Sequence, residues 1–184
     1  MLRRVLTVAA LSAVLVLSVL VAPSQAAAMP SRAKWLADTR QAMYGSRAWI
    51  NERTAHGDKG LTVNLDIDNT SLATYYARGR AVPVTLRFVL YAASKHVRVV
   101  FNTGRNQKGL AGAVRELRRA GYPVGGICGR RTGEALTTSK QRCRQEFVAK
   151  GYTIIANVGN RSTDFVGKNY ERAFKLPNYG NRLG

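Results

Sequence analysis

The stretch LTVNLDIDNT, residues 61–70, decides the fold. It is an apolar, β-branched run that ends in Asp66 and Asp68, and such runs are typical of buried strands. Because side chains alternate along a strand, the D-x-D spacing puts both carboxylates on one side. If the strand ends at Asp66, the pair stands at its carboxyl end, where open α/β sheets bind ligands. Such a pair predicts a bound metal ion, a shared proton, or separate acid and nucleophile roles.

Strand-like and helix-like segments alternate through the rest of the chain. Further strands are predicted at 97–102, 124–128 and 153–158, and helices at 83–95, 107–120 and 138–150, the last opened by a Thr138-x-x-Gln141 capping box and ended at Gly151. Residues 31–56 have a helical pattern interrupted near Gly45, which fits one helix or two. Residues 173–176 are predicted to form an edge strand, and the tail from Pro177 to be loose. The fold class is therefore α/β: a mainly parallel, Rossmann-like sheet with helices on both faces and an N-terminal helical extension.

The first 28 residues have the pattern of a signal peptide. Two arginines precede an apolar run at 5–22, and small residues at 23–28 suit cleavage. An uncleaved membrane anchor is the rival interpretation. We expect cleavage, a secreted or cell-envelope protein with no remaining transmembrane span, and one domain at 29–184 with its core at about 58–178.

The chain is strongly basic, with 29 Lys and Arg against 10 Asp and Glu, a net charge of +19. Loss of Arg3 and Arg4 with the leader leaves +17 by the same count. This excess predicts attraction to anions such as phosphate esters, nucleic acid or anionic envelope polymers. The two cysteines, Cys128 and Cys143, fit either a disulfide formed in an oxidising compartment or two buried thiols.

Each of the four longer predicted strands is followed by polar residues, which a parallel sheet gathers along one edge. These residues are Asp66 and Asp68, Thr103, Lys140, and Asn160 with Asp164. One carboxylate can attack, a second can be protonated and deliver that proton, and a hydroxyl and an ammonium can bind oxyanions. A further carboxylate completes an oxygen site suited to Mg²⁺. The chemistry that uses all of these is phosphoryl transfer through an aspartyl-phosphate.

The arrangement resembles the haloacid dehalogenase (HAD) superfamily of phosphohydrolases. The D-x-D-x-T motif corresponds to residues 66–70, and the later motifs to Thr103, Lys140 and the G-N-R-S-T-D of 159–164. Other features resemble the secreted acid phosphatase branch, which includes class B-type and plant acid phosphatase-like proteins. They are the lead-in with Trp35 and Asp38, the T-G-R at 103–105, Arg144 one turn after Lys140, and F-K-L-P-N at 174–178. The resemblance covers about residues 33–178.

The resemblance implies a role for each matching residue. Asp66 would be the nucleophile and Asp68 the general acid and base, with Thr103 and Lys140 on the phosphoryl oxygens. Gly104 and Arg105 would contact the substrate. The implied Mg²⁺ ligands are Asp66, the Asp68 backbone carbonyl, Asp164 and Asn160. Asn160 stands where the family has aspartate, so weaker metal binding is expected.

Substrate scope follows from the short stretch that is left for a lid. Only residues 71–82 lie between the first motif and the next helix, too few for a large cap domain. An open site admits small phosphomonoesters, and specific nucleic-acid recognition is not expected. Tyr75 and Tyr76 would either stack on a substrate ring or pack against the N-terminal helices. The alternative function is a non-enzymatic basic binding or storage protein on the same scaffold.

Overall fold

A computed structural model describes residues 28–183, so the predicted signal peptide lies almost entirely outside the described residues. In chain order the helices and strands are α1 (Arg32–Ala42), α2 (Ser46–Thr54), β1 (Leu61–Leu65), α3 (Pro83–Ser94), β2 (Arg98–Asn106), α4 (Leu110–Arg119), β3 (Gly126–Arg130), α5 (Leu136–Ala149), β4 (Thr153–Gly159) and β5 (Arg172–Lys175). Short 3-10 turns at Gln107–Gly109 and Ser162–Phe165 follow β2 and β4. No helix within residues 28–183 has the length and apolarity needed to cross a membrane.

The five strands form one sheet in the order β3-β2-β1-β4-β5, and every neighbouring pair is parallel. This confirms the predicted parallel sheet and the edge strand near residue 173. All five residues of the central strand β1 are buried, because helices cover both faces of a parallel sheet. The sheet therefore points the carboxyl ends of β1, β2 and β4 to one edge.

The two faces of the sheet carry separate apolar clusters. Phe101 of β2 packs on the side of α2, α3 and α4, whereas its neighbour Val100 packs on the side of α5. Cys128 and Cys143 lie in the α5 cluster and are joined by a disulfide with a Cα–Cα distance of 5.6 Å. The disulfide, which the sequence left open, ties α5 to β3.

Two predictions about the helical segments are settled by the structure: one had been left open, and one was wrong. The N-terminal segment forms two helices, because Gly45 adopts a left-handed φ of 75° between them. Helix α5 begins at Leu136, before the predicted Thr138–Gln141 capping box, and its start has no side-chain cap. Its end agrees with the sequence, since Gly151 follows with a φ of 80°.

The prediction that the tail from Pro177 is loose was also wrong. Leu183 is 1% exposed and packs in a cluster with Trp35 and Val82. The Tyr179 hydroxyl donates a hydrogen bond to Asp38 of α1 over 2.7 Å. An apolar side chain and a tethering hydroxyl therefore hold residues 177–183, the docked segment, against the domain.

Candidate active site

The Lys140 ammonium lies at the centre of the residues that the sequence placed at the sheet edge. Its Nζ is 2.6 Å from Asp66 Oδ1, 2.7 Å from Asp164 Oδ1 and 2.6 Å from the Asn102 carbonyl oxygen. Asp66 follows the end of β1, Lys140 comes from the second turn of α5, and Asp164 from the turn after β4. We call Asp66, Lys140 and Asp164 the floor.

Burial controls the electrostatics of the floor. Burial raises the pKa of Asp66 to about 6, against the opposing attraction of Lys140 and with the help of Asp164. Burial also lowers the pKa of Lys140, but the two carboxylates outweigh it and hold that pKa above its ordinary value. Lys140 supplies one positive charge against the two carboxyl groups beside it. The floor can therefore accept a further positive charge.

Asp68 faces a different partner from Asp66. Arg105 Nε and Nη2 donate to its two carboxylate oxygens over 2.9 and 2.7 Å, and the Thr74 hydroxyl donates over 2.7 Å. Burial raises the pKa of Asp68, but these hydrogen bonds outweigh it and hold the pKa below its ordinary value. The resting protein therefore holds Asp68 ionised, whereas the sequence predicted a protonated carboxyl.

Arg105 and Thr103 both belong to β2 but are not equally accessible. Arg105 lines the cavity and is also ion-paired to Glu116 over 2.6 Å. The Thr103 side chain is fully buried, and its hydroxyl accepts a hydrogen bond from the Arg105 backbone N–H over 3.1 Å. Thr103 itself does not line the cavity, although its neighbour Gly104 does.

Asn160 is the residue that departs from the family pattern, and its amide has one partner. Its Nδ2 donates to the Leu183 carbonyl over 3.3 Å, and Asn69 Nδ2 donates to the same oxygen over 2.6 Å. Asn160 Oδ1 is buried and accepts no hydrogen bond within residues 28–183. The amide therefore binds the docked segment and leaves one oxygen unpartnered.

The fit of these oxygens to a hard cation is partial. Asp164 Oδ1 is buried, and the Lys140 ammonium, 2.7 Å away, is its ion-pair partner. Together with the unpartnered Asn160 Oδ1, it forms the kind of oxygen set that Mg²⁺ prefers. However, no group of three His, Cys, Asp or Glu in the described part of the chain is arranged around a common metal position. The donors fit in chemistry, with an amide in place of one carboxylate.

Buried side chains fix the turn that carries Asp164. The Arg144 guanidinium is fully buried and donates to the backbone carbonyls of Asp164, Val166 and Lys168. Asn157 Nδ2 also donates to the Asp164 carbonyl, over 2.9 Å. The Arg161 backbone N–H donates to Asp164 Oδ2 over 2.9 Å. Hydrogen bonds from α5, from β4 and from the backbone of the turn itself therefore fix its conformation.

Above the floor is a cavity of about 520 Å³, within the usual range for small-molecule sites. Asp66, Asp68 and Lys140 form its base, and four further arginines surround it. We call these arginines the rim: Arg78, Arg130, Arg161 and Arg182. Tyr75 also lines the cavity, whereas Tyr76 stacks on Trp35 with ring centroids 4.9 Å apart. Tyr76 therefore packs against the N-terminal helix, whereas stacking of Tyr75 on a substrate ring stays a prediction.

The sequence missed several residues that shape this site. Asn69 adopts a left-handed φ of 54°, donates to Leu183 and accepts from the Tyr75 backbone N–H. Its position inside D-x-D-x-T was the available signal. Arg182 and Leu183 also line the cavity. The sequence after Pro177 has no periodic pattern, so it gave no signal for this position.

Comparison with known proteins agrees with this geometry. The family model for HAD superfamily subfamily IIIB (acid phosphatase) matches residues 76–182, a range that includes Thr103, Lys140, Asn160 and Asp164 and begins after the D-x-D-x-T motif. No curated protein sequence matches the chain significantly.

Two solved structures share the fold. The class C acid phosphatase from Bacillus anthracis has a TM-score of 0.64 at 18% identity, covering 80% of this chain and 79% of that one. The structure of the Bacillus anthracis class C enzyme with tungstate bound has a TM-score of 0.63, also at 18% identity, with the same two coverages. At this identity the likeness shows the α/β fold, and the family model carries the assignment. The chain belongs to the acid phosphatase family of HAD subfamily IIIB, and so to the phosphoric monoester hydrolases.

Proposed function

We propose that this protein is a secreted, Mg²⁺-dependent acid phosphatase that hydrolyses phosphomonoesters through an aspartyl-phosphate. The observation that carries the proposal is the Lys140 ammonium, 2.6 Å from Asp66 Oδ1 at the base of an open cavity. A cation at that position holds the carboxylate in place and offsets its repulsion with an anionic substrate. Membership of a hydrolase family, together with the presence of Asp66, favours the enzyme over a storage protein.

In the proposed first step, an Asp66 carboxylate oxygen attacks phosphorus and the bond to the leaving alcohol breaks. The leaving oxygen takes a proton from Asp68. In the second step, Asp68 accepts a proton from water as that water attacks the acyl-phosphate, which releases inorganic phosphate and restores Asp66. Because Arg105 favours the ionised form of Asp68, the proton-donating form becomes more populated as the pH falls. Below about pH 6, however, Asp66 becomes increasingly protonated and cannot attack, so the two aspartates limit activity from opposite sides of the pH profile.

The metal would be held by Asp66, Asp164, the Asp68 backbone carbonyl and Asn160. When bound, Mg²⁺ would supply positive charge to the phosphoryl oxygens. On the protein side, Lys140 would hold phosphoryl oxygens, and Gly104 and Arg105 would border the substrate. The buried Thr103 hydroxyl, predicted as a phosphate ligand, would instead act through the Arg105 backbone N–H that it binds. The leader pattern and the disulfide support an extracytoplasmic location.

The test is hydrolysis of p-nitrophenyl phosphate with and without Mg²⁺ by wild type and Asp66→Asn. We expect Asp66→Asn to lose at least about a thousandfold in kcat, because no nucleophile remains. Asp58→Asn is the matched control, since Asp58 is a surface carboxylate paired with Arg53 and lies outside the cavity. Equal rates for wild type and Asp66→Asn would refute the mechanism.

A further inference from the structure

Each of the five strands is associated with one arginine that lines the cavity and lies near or after the carboxyl end of that strand. Arg78 follows β1, Arg105 lies near the end of β2, and Arg130 ends β3. Arg161 follows β4 and Arg182 follows β5. The only carboxylates that line the same cavity, within the part of the chain described, are Asp66 and Asp68. Among the described residues, the cavity is therefore lined by six cationic side chains, the five arginines and Lys140, against two carboxylates.

These arginines differ in whether a carboxylate already neutralises them. Arg105 is paired with Asp68 and Glu116. Arg78, Arg130 and Arg161 form no ion pair with any carboxylate in residues 28–183. The neighbouring Arg131, outside the cavity, is paired with Glu146. Three guanidinium groups in the cavity therefore have no carboxylate partner among the described residues, whereas those of Arg105 and Arg131 do.

Strand order places two of these arginines at opposite sides of the nucleophile. Asp66 follows β1, Arg161 follows the adjacent strand β4, and Arg130 ends β3, two strands away on the other side. With neighbouring strands about 4.8 Å apart, β3 lies about 10 Å from β1. A single phosphate at Asp66 is too small to occupy both ends of that span. Arg130 lines the cavity from this more distant strand, which allows its guanidinium to contact a part of the substrate away from the reacting group.

We propose that Arg130 forms a second phosphate subsite, so that the preferred substrates carry another phosphate group about 10 Å or less from the one hydrolysed. The inference rests on the proposed function and specifies its substrate class. A guanidinium binds phosphate oxygens in bidentate fashion, and such charge-assisted bonds are about twice as strong as neutral ones. The exposed Arg78 in the β1 loop adds a second guanidinium to the cavity wall. A cavity of about 520 Å³ accommodates a sugar or nucleoside bisphosphate.

The test compares matched substrates that differ by one phosphate. Fructose 1,6-bisphosphate is compared with fructose 6-phosphate, and adenosine 3',5'-bisphosphate with adenosine 5'-monophosphate. We expect wild type to favour each bisphosphate by about tenfold in kcat/KM, the effect of one charge-assisted bond to phosphate. Preference in only one substrate pair identifies whether the sugar or the nucleoside carries the second phosphate.

The variants separate the subsite from general basicity. In Arg130→Gln the bisphosphate-to-monophosphate ratio of kcat/KM should fall about tenfold, mainly through KM. Arg131→Gln removes the same charge from the next residue outside the cavity and should keep the wild-type ratio. Equal kcat/KM for both members of each pair in wild type would overturn the proposal, as would the same fall in Arg131→Gln.

A binding measurement separates this inference from the proposed function. Calorimetric titration of Asp66→Asn with each substrate pair reports affinity without turnover. Tighter binding of the bisphosphate, lost when Arg130→Gln is added, supports the subsite even if wild type proves inactive. Equal affinity for the two members of each pair refutes the subsite even if the enzyme is an active phosphatase.

Discussion

On the floor, Lys140 lies within 2.7 Å of both Asp66 and Asp164, and its side chain is 3% exposed. On the rim, Arg78 and Arg130 are exposed and have no carboxylate partner among the described residues. Charges with little solvent around them interact strongly, and removal of one leaves the others uncompensated. Exposed charges are screened by salt and can be removed at small cost. The comparison separates residues that hold the site together from residues that we propose to select its substrate.

The largest effect should come from Lys140→Met. Two buried carboxylates would remain without their cation, which costs about 3–5 kcal/mol in the free energy of unfolding. Urea denaturation measures this loss, and phosphatase activity should disappear with it. Arg130→Gln is the control from the rim and should change stability by less than about 0.5 kcal/mol.

The pH dependence of that loss sharpens the test. Asp66 has a folded-state pKa of about 6, above its ordinary value of 3.8, so its contribution to stability is fully present below about pH 3.8 and is lost as the pH rises through about 6. Without Lys140 this pKa should rise further. The destabilisation in Lys140→Met should therefore be smaller at about pH 5 than at about pH 8. A loss that is the same at both pH values would contradict a charge-based account of the floor.

The second effect concerns the disulfide on the helix that supplies Lys140. Replacement of both Cys128 and Cys143 by Ala should lower the free energy of unfolding by about 3 kcal/mol, as expected for a loop of this length. Urea denaturation of the double variant measures it. Wild type in dithiothreitol should match the double variant, and an unchanged midpoint in both would show that the bond does not stabilise the fold.

Arg105 lies between the floor and the rim and should have an intermediate effect. In Arg105→Gln the pKa of Asp68 should rise, because the hydrogen bonds that favour its ionised form are lost. The proton-donating form then persists to higher pH, so the alkaline limb of kcat/KM should move to higher pH. The pH–rate profile measures the shift. Glu116→Gln removes the other partner of Arg105 and should move the limb much less; equal shifts would point to a general charge effect.

Asn160→Asp should have the smallest effect. A carboxylate in place of the amide should lower the Mg²⁺ concentration needed for half-maximal activity, because it adds a charged oxygen beside Asp164. It also removes the N–H that donates to Leu183, which makes a small loss of stability expected. Metal titration of activity measures the first effect, with Asn106→Asp as an exposed control outside the cavity. An unchanged metal titration would exclude Asn160 as a ligand.

The sequence could predict the sheet and most of the floor for one physical reason. Strand direction follows from alternation with helices, and parallel strands bring Asp66, Lys140 and Asp164 to one edge whatever the loop details. Side-chain pairing within loops does not follow from strand direction. The pairing of Asp68 with Arg105 depends on how the loop after β1 meets the end of β2, so the ionised state of Asp68 could not be foreseen.

The burial of the docked segment could not be predicted from the sequence either, because it depends on contacts between distant residues. A single apolar residue, Leu183, has no periodicity, and its burial depends on packing with Trp35 and Val82, which come from distant parts of the chain. The choice between bridged and free cysteines likewise depended on the separation of β3 and α5 in space.

The anchoring of Leu183 has a practical consequence for purification and assay. Its carbonyl oxygen accepts hydrogen bonds from Asn69 and Asn160, so a peptide fused behind it would emerge next to the cavity. A polyhistidine tag placed directly after the docked segment would bring imidazoles, which bind divalent metals, close to the residues whose metal dependence is to be measured. Kinetic work should therefore use protein from which any such tag has been removed.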